Sequence, residues 1–170
     1  MLEIRTAAEL AEADVEFQAR RRAARQTRIL QTIYRAFLDR AGPVPVDAIL
    51  TALPGTARSS VERELAMLDE DDLIQLKDGQ VAIAYPFSAP PTPFIVGLAD
   101  REARYVCCAI DALGLAPMLG EPVSVSGRCH HCGQALVFAV TPGGPGPEAA
   151  GLMVWVGRRA EGERRAVTGL

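Results

Sequence analysis

The sequence predicts an α+β protein, in which an N-terminal helical module is followed by a small mixed β-sheet domain with short helices. Apolar residues recur at helical spacing in the first half of the chain, whereas short, alternating apolar runs typical of strands follow Pro93. Four prolines between them, within residues 85–93, predict a stiff and extended linker. We therefore divide the chain into a helical domain (1–84), the linker (85–93), a β-rich core domain (94–157) and a charged, flexible tail (158–170).

Composition excludes several classes of function. The 170-residue chain is 49% hydrophobic and carries a net charge of −3, which argues against a general binder of nucleic acids or anionic membranes. No apolar run reaches the roughly 20 residues that cross a bilayer, and the N-terminus lacks the pattern of a signal peptide. We therefore expect a cytoplasmic protein with reduced thiols and with neither nucleic acid nor membrane as a partner.

The N-terminal elements follow in the order of a winged-helix-like module. The region Leu2–Asp39 reads as helix with at most one break, because acidic residues precede basic ones and apolar residues from Ile29 onward form one face. A second helix is predicted at Val46–Leu53, and a third runs from Thr56, which can cap it, to about Leu68. The run Leu73–Ile83, with Asp-Gly at its centre, predicts a hairpin.

This shape suggests DNA binding, but its charges oppose that interpretation. The third helix and its exit, Thr56–Asp72, carry two arginines against six acidic residues. Such a surface is a poor match to a phosphate backbone. We therefore predict a structural role for the helical module.

Strands dominate the predicted core domain. A hairpin precedes the cysteine-rich stretch, and further strands separated by a crossing segment and a Gly/Pro loop follow it. These elements are Phe94–Val96, Ala103–Cys107, the crossing Leu115–Glu121, Val123–Val125, Ala135–Val140, the loop Pro142–Pro147 and a last strand at Leu152–Val156.

The stretch 105–114 concentrates chemically reactive groups. It favours a strand ending near Cys107 and a short helix that starts near Cys108 and ends at Gly114, a plausible C-cap. The spacing of Cys108 and Asp111 makes them neighbours on one helical face, about 5–6 Å apart at Cβ. A thiol at a helix start should have its thiolate favoured, so Cys108 is predicted to be the more reactive cysteine. Alternatively, both cysteines are small buried hydrophobes.

A second cluster lies at residues 129–133. Cys-x-x-Cys followed by glycine is typical of zinc sites, which predicts zinc at Cys129 and Cys132. A closed site needs four ligands, and no second Cys-x-x-Cys is present. The set can be completed only by a histidine of the cluster together with a cysteine of the earlier stretch. The candidate metal ligands are therefore Cys107, Cys108, Cys129, His130, His131 and Cys132.

The segment Pro93–Val140 resembles the catalytic core of the bacterial organomercurial (alkylmercury) lyases. The resemblance implies that Cys108 is the catalytic thiolate and Asp111 the proton relay in protonolysis of a carbon–mercury bond, which releases Hg(II) and a hydrocarbon. It implies a small organometal substrate, no required cofactor, a mercuric reductase that accepts the metal, a structural winged-helix-like N-terminus and a non-catalytic role for Cys129. The matching residues are Tyr105, Cys108-Ala109-Ile110-Asp111, Leu113, Pro117–Gly120, Val123–Ser126, Cys129 and Gly133.

The sequence departs from the family pattern in one respect. The lyases carry a second catalytic cysteine downstream, in the region past Trp155, and this sequence has no cysteine after Cys132. The second thiol is then Cys107, Cys129 or Cys132, or cleavage is lost. Two alternatives follow from the second case: a non-enzymatic thiol and metal-binding (Hg or Zn) winged-helix protein or sensor, and a catalytically inactive structural homologue.

Overall fold

The computed structural model describes residue 19, residues 23–25 and residues 27–154. Most of the predicted first helix before Arg28, the end of the last predicted strand (Trp155–Val156) and the tail 158–170 lie outside the described residues. Four α-helices and nine strands form in the described part, and all the strand pairs are antiparallel. The predicted α+β class is confirmed.

The N-terminal elements alternate short strands with three helices. They are α1 (Arg28–Asp39), β1 (Val44–Pro45), α2 (Val46–Ala52), α3 (Arg58–Glu70), β2 (Ile74–Lys77) and β3 (Gln80–Ala84). The predicted hairpin is confirmed, since β2 pairs with β3 and both residues of the Asp78-Gly79 turn have positive φ. The predicted Thr56 cap is wrong: α3 starts after Ala57, and no side chain caps it. The winged-helix assignment stays a prediction.

The remaining elements place one helix within a run of strands. They are β4 (Phe87–Ser88), β5 (Phe94–Gly97), β6 (Arg104–Val106), α4 (Ala109–Leu119), β7 (Val123–Arg128), β8 (Ala135–Thr141), β9 (Gly144–Pro145) and a 3₁₀ turn (Pro147–Ala149). The sheet runs in the order β1-β3-β4-β6-β5-β7-β8-β9, with β2 also paired to β3. The predicted Gly/Pro loop therefore contains β9, and Leu152–Val154 form no strand.

The sheet continues through the predicted linker. Strand β4 lies within residues 85–93 and pairs with β3 on one side and β6 on the other. Phe87 on this strand is fully buried, stacks on Phe37 of α1 with ring centroids 5.7 Å apart, and meets Tyr34 at 6.3 Å. One hydrophobic cluster thus reaches from α1 to β8. The domain boundaries stay a prediction.

The helix after the two cysteines is longer than predicted. It continues through Gly114 to Leu119 and ends at Gly120, whose φ of 76° provides the left-handed C-cap. Leu115 and Ala116 are fully buried, so burial of this face favours the continued helix over a stop at Gly114. Among the described residues, no helix is long and apolar enough to cross a membrane.

Candidate active site

The two adjacent cysteines lie where β6 ends and α4 begins. Cys107 extends the strand pairing by one residue, since its backbone N–H donates to Pro86 O at 3.0 Å. Its side chain is only 2% exposed, and the thiol donates to Phe87 O at 3.4 Å. Cys108 is half-buried and occupies the N-cap position of α4. The side chains of Cys107 and Cys108 thus point away from each other, because successive side chains of an extended chain lie on opposite sides.

Cys108 and Asp111 form a direct hydrogen bond. The thiol donates to Oδ2 of Asp111 with a sulfur–oxygen distance of 3.0 Å. The helix brings them together, because Cys108 O accepts the first helical hydrogen bond from Ala112 and Asp111 falls in the first turn. The i, i+3 spacing predicted this contact.

The protonation of Cys108 differs from the expectation for a helix start. Burial is the largest cause that raises the pKa of this thiol to about 11, and the negative charge of Asp111 and its hydrogen bond add to that effect. The backbone N–H groups of Asp111 and Ile110 lower the pKa, but they do not outweigh the causes that raise it. The predicted stabilisation of the thiolate is therefore wrong for the free protein: the thiol holds its proton and shares it with the carboxylate. Burial raises the pKa of Cys107 as well, above the range in which thiols titrate near neutrality.

Two residues that sequence reasoning missed hold the strand before the site. Arg104, 6% exposed, donates from Nε to Phe37 O at 2.6 Å and from Nη2 to Leu38 O at 2.8 Å, which ties β6 to the last turn of α1. The hydroxyl of Thr92 donates to Val106 O at 2.6 Å and accepts from the backbone N–H of Phe94 at 3.3 Å. In the sequence they are an arginine beside an apolar strand and a threonine between prolines. Their hydrogen-bond partners can be recognised only from the fold.

The second cluster is the turn that joins β7 to β8. Two backbone hydrogen bonds close it, from Cys129 N to Gln134 O and from Gly133 N to Cys129 O, both at 2.8 Å. Cys129 is half-exposed, whereas His130, His131 and Cys132 are exposed. The backbone N–H of Cys132, that of His131 and the Cys132 thiol lower the pKa of Cys129 below its usual range.

The predicted metal ligands are thus divided between two places. Cys107 and Cys108 lie at the start of α4, and the other four candidates lie in the β7–β8 turn. Within the described ranges, no group of three or more His, Cys, Asp or Glu side chains is arranged to hold a metal ion. The geometry therefore gives no support to a four-ligand zinc site.

Comparison with known proteins gives three consistent findings. A family model described as alkylmercury lyase (MerB) matches residues 87–169. An alkylmercury lyase of Staphylococcus epidermidis is 28% identical over 105 residues, which are 62% of this chain and 46% of that protein. A solved structure described as the mercury-bound form of MerB2 is similar in fold, with a TM-score of 0.64 and 21% identity over 78% of this chain and 66% of that one. The chain therefore spans about half the length of the curated relative that it matches.

Proposed function

We propose that the protein cleaves carbon–mercury bonds of small organomercurials by protonolysis, because residues 87–169 match the family model described as alkylmercury lyase. The observation that carries the proposal is the 3.0 Å hydrogen bond from the Cys108 thiol to the Asp111 carboxylate. It joins a sulfur, which soft metals prefer, to a group that can accept and return a proton.

The first step exchanges the thiol proton for the metal. The Cys108 sulfur bonds to the mercury of a cation R–Hg⁺ while its proton moves along the existing hydrogen bond to Asp111. The products are Cys–S–Hg–R and a neutral carboxylic acid, so charge and atoms balance. No free thiolate needs to form beforehand, which is consistent with a pKa of about 11 for Cys108.

The second step returns the proton to carbon. The protonated Asp111 donates to the carbon bonded to mercury, the carbon–mercury bond breaks, and R–H leaves. The carboxylate is regenerated, and mercury remains on Cys108 as Cys–S–Hg⁺. Asp111 thus acts first as general base and then as general acid.

Release of the metal needs a second thiolate. Cys107 is adjacent in sequence but buried, and its thiol is committed to Phe87 O. We propose that a thiol from solution takes the ion from Cys108 and that a mercuric reductase is the next acceptor. This chemistry requires no cofactor. The cytoplasmic location stays a prediction.

Single-turnover measurements test the assignment. With a methylmercury salt, Cys108→Ser should lose tight binding, whereas Asp111→Ala should keep binding and accumulate bound organomercurial without releasing methane. Mass spectrometry of the intact protein measures the bound adduct, and gas chromatography measures the hydrocarbon. Equal activity of Cys108→Ser and the parent would mean that the Cys108–Asp111 pair only packs.

A second candidate function is a thiol-based binder or sensor of mercury or zinc without catalysis. The observation that favours it is the second pair of free thiols, Cys129 and Cys132, in the turn between β7 and β8. If the parent binds methylmercury but releases no methane in the presence of excess solution thiol, this second function replaces the first. In either case the acidic third helix predicts no sequence-specific binding to duplex DNA, which a filter-binding titration at physiological salt can check.

A further inference from the structure

The turn between β7 and β8, residues 129–133, carries two free cysteines that the proposed reaction does not use. We call it the thiol turn. Its backbone is held in one conformation by the two 2.8 Å hydrogen bonds that close it. A third contact, from Nη1 of Arg128 to Gly133 O at 3.2 Å, adds to these. Gly133 has a φ of 72°, which glycine adopts without the steric cost that most other residues would have there.

This backbone brings the two cysteines into one tight turn. Cys129 and Cys132 are three residues apart, and the hydrogen bond from Gly133 N to Cys129 O folds the chain back over that interval. Cys-x-x-Cys spacing in a closed turn is the arrangement in which two thiols can share one metal ion.

The number of ligands decides which metal the turn suits. Structural zinc takes four protein ligands, and the described residues offer no group of three or more at this place. A soft ion that is satisfied by two thiolates has no such requirement. Cys132 is exposed and Cys129 half-exposed, so an ion can reach both without rearrangement of the sheet.

We propose that Cys129 and Cys132 bind one soft, thiophilic metal ion of the Hg(II) class in a two-coordinate site separate from the Cys108–Asp111 pair. Binding replaces two thiol protons by two sulfur–metal bonds and releases both protons, with no change of oxidation state. The site goes beyond the lyase proposal, because it takes up inorganic ion and needs no cleavage of a carbon–mercury bond. If the lyase proposal also holds, the thiol turn can hold the product ion.

The test uses the full chain with Cys108→Ser as background, so that the proposed active pair cannot contribute. The reduced protein is mixed with mercuric chloride and an excess of a monothiol, desalted and weighed intact by native mass spectrometry. One retained mercury per chain is expected. Adding Cys129→Ser or Cys132→Ser should each weaken retention about a hundredfold or more, because the second thiol acts at high effective concentration. Cys107 is present in every variant, so any loss of mercury between variants cannot be due to Cys107.

Further arms separate the alternatives. His131→Ala should retain mercury like the background, because the histidine side chain is not a ligand. Zinc chloride in place of mercuric chloride should not be retained. Equal mercury retention after Cys132→Ser, or zinc retention that His131→Ala abolishes, would overturn the two-coordinate site.

Discussion

Replacing Asp111 by asparagine should make Cys108 easier to ionise and at the same time stop the release of hydrocarbon. Asparagine keeps the size of the side chain and removes its negative charge, which is one cause of the raised pKa of Cys108. Its amide can also donate a hydrogen bond to the sulfur, which favours the thiolate. A carboxamide cannot carry the proton to carbon. The substitution thus separates the two roles proposed for the carboxylate.

The size of the first effect is bounded by the pKa of the parent. At pH 8, a thiol with a pKa of about 11 is ionised in roughly one molecule in a thousand, whereas an ordinary cysteine is ionised in about a quarter. Complete relief would therefore raise the thiolate fraction about 200-fold. Burial is the largest cause and remains in the variant. We expect an increase of about tenfold, the effect of one pKa unit.

Alkylation by iodoacetamide measures this increase. Its rate at Cys108, followed by peptide mass spectrometry between about pH 7 and pH 10, should rise about tenfold at pH 8 in Asp111→Asn. Methane release from methylmercury should fall to background in the same protein. Glu102→Gln, which removes an exposed negative charge from the same hairpin, is the matched control and should change neither quantity. Unchanged alkylation together with parental methane release would refute the proposed coupling of thiol and carboxylate.

Three further predictions concern stability. Arg104→Met should lower the free energy of unfolding by about 2–4 kcal/mol in urea titrations, because buried helix carbonyls lose a charged donor, whereas exposed Arg101→Met should have little effect. Gly114→Ala should raise the free energy of unfolding by about 0.5–1 kcal/mol, because Gly114 is helical with open space at Cβ, and Gly120→Ala should lower it by about the same amount, because Gly120 has positive φ. The opposite signs in the same titrations would favour the predicted helix end at Gly114. Burial raises the pKa of Cys107, so on raising the pH the unfolded state loses this thiol proton before the folded state does. The free energy of unfolding should therefore hold its value below about pH 8 and fall by about 1–2 kcal/mol toward pH 10, and Cys107→Ala should reduce the fall.

Local rules predicted the elements best where sequence and backbone geometry are directly linked. The Asp78-Gly79 turn forms because both residues adopt the positive φ that a two-residue hairpin requires. The i, i+3 spacing of Cys108 and Asp111 likewise fixes their contact once a helix begins at Ala109. These predictions need no knowledge of the rest of the chain.

Predictions that depended on tertiary packing were less accurate. Gly114 was a reasonable helix end by composition, but buried Leu115 and Ala116 favour continuation to Gly120. The role of Arg104 depends on the carbonyl groups of α1, more than 60 residues earlier in the chain, and no local pattern indicates such a contact. The strand within residues 85–93 was not predicted for the same reason, because its pairing with β3 and β6 depends on the tertiary fold.

The state of Cys108 shows how two correct local rules can compete. The helix start does supply N–H groups that favour the thiolate, as the sequence predicts. The same turn also places a carboxylate 3.0 Å from the sulfur, and burial removes water from the thiol. Desolvation of the thiol and the neighbouring carboxylate act together against ionisation of Cys108, so they outweigh the effect of the helix start and keep the proton on the thiol. For a reaction that begins by exchanging a proton for a metal and ends by giving that proton to carbon, this arrangement is more useful than a preformed thiolate, because the proton stays in the site until carbon can accept it.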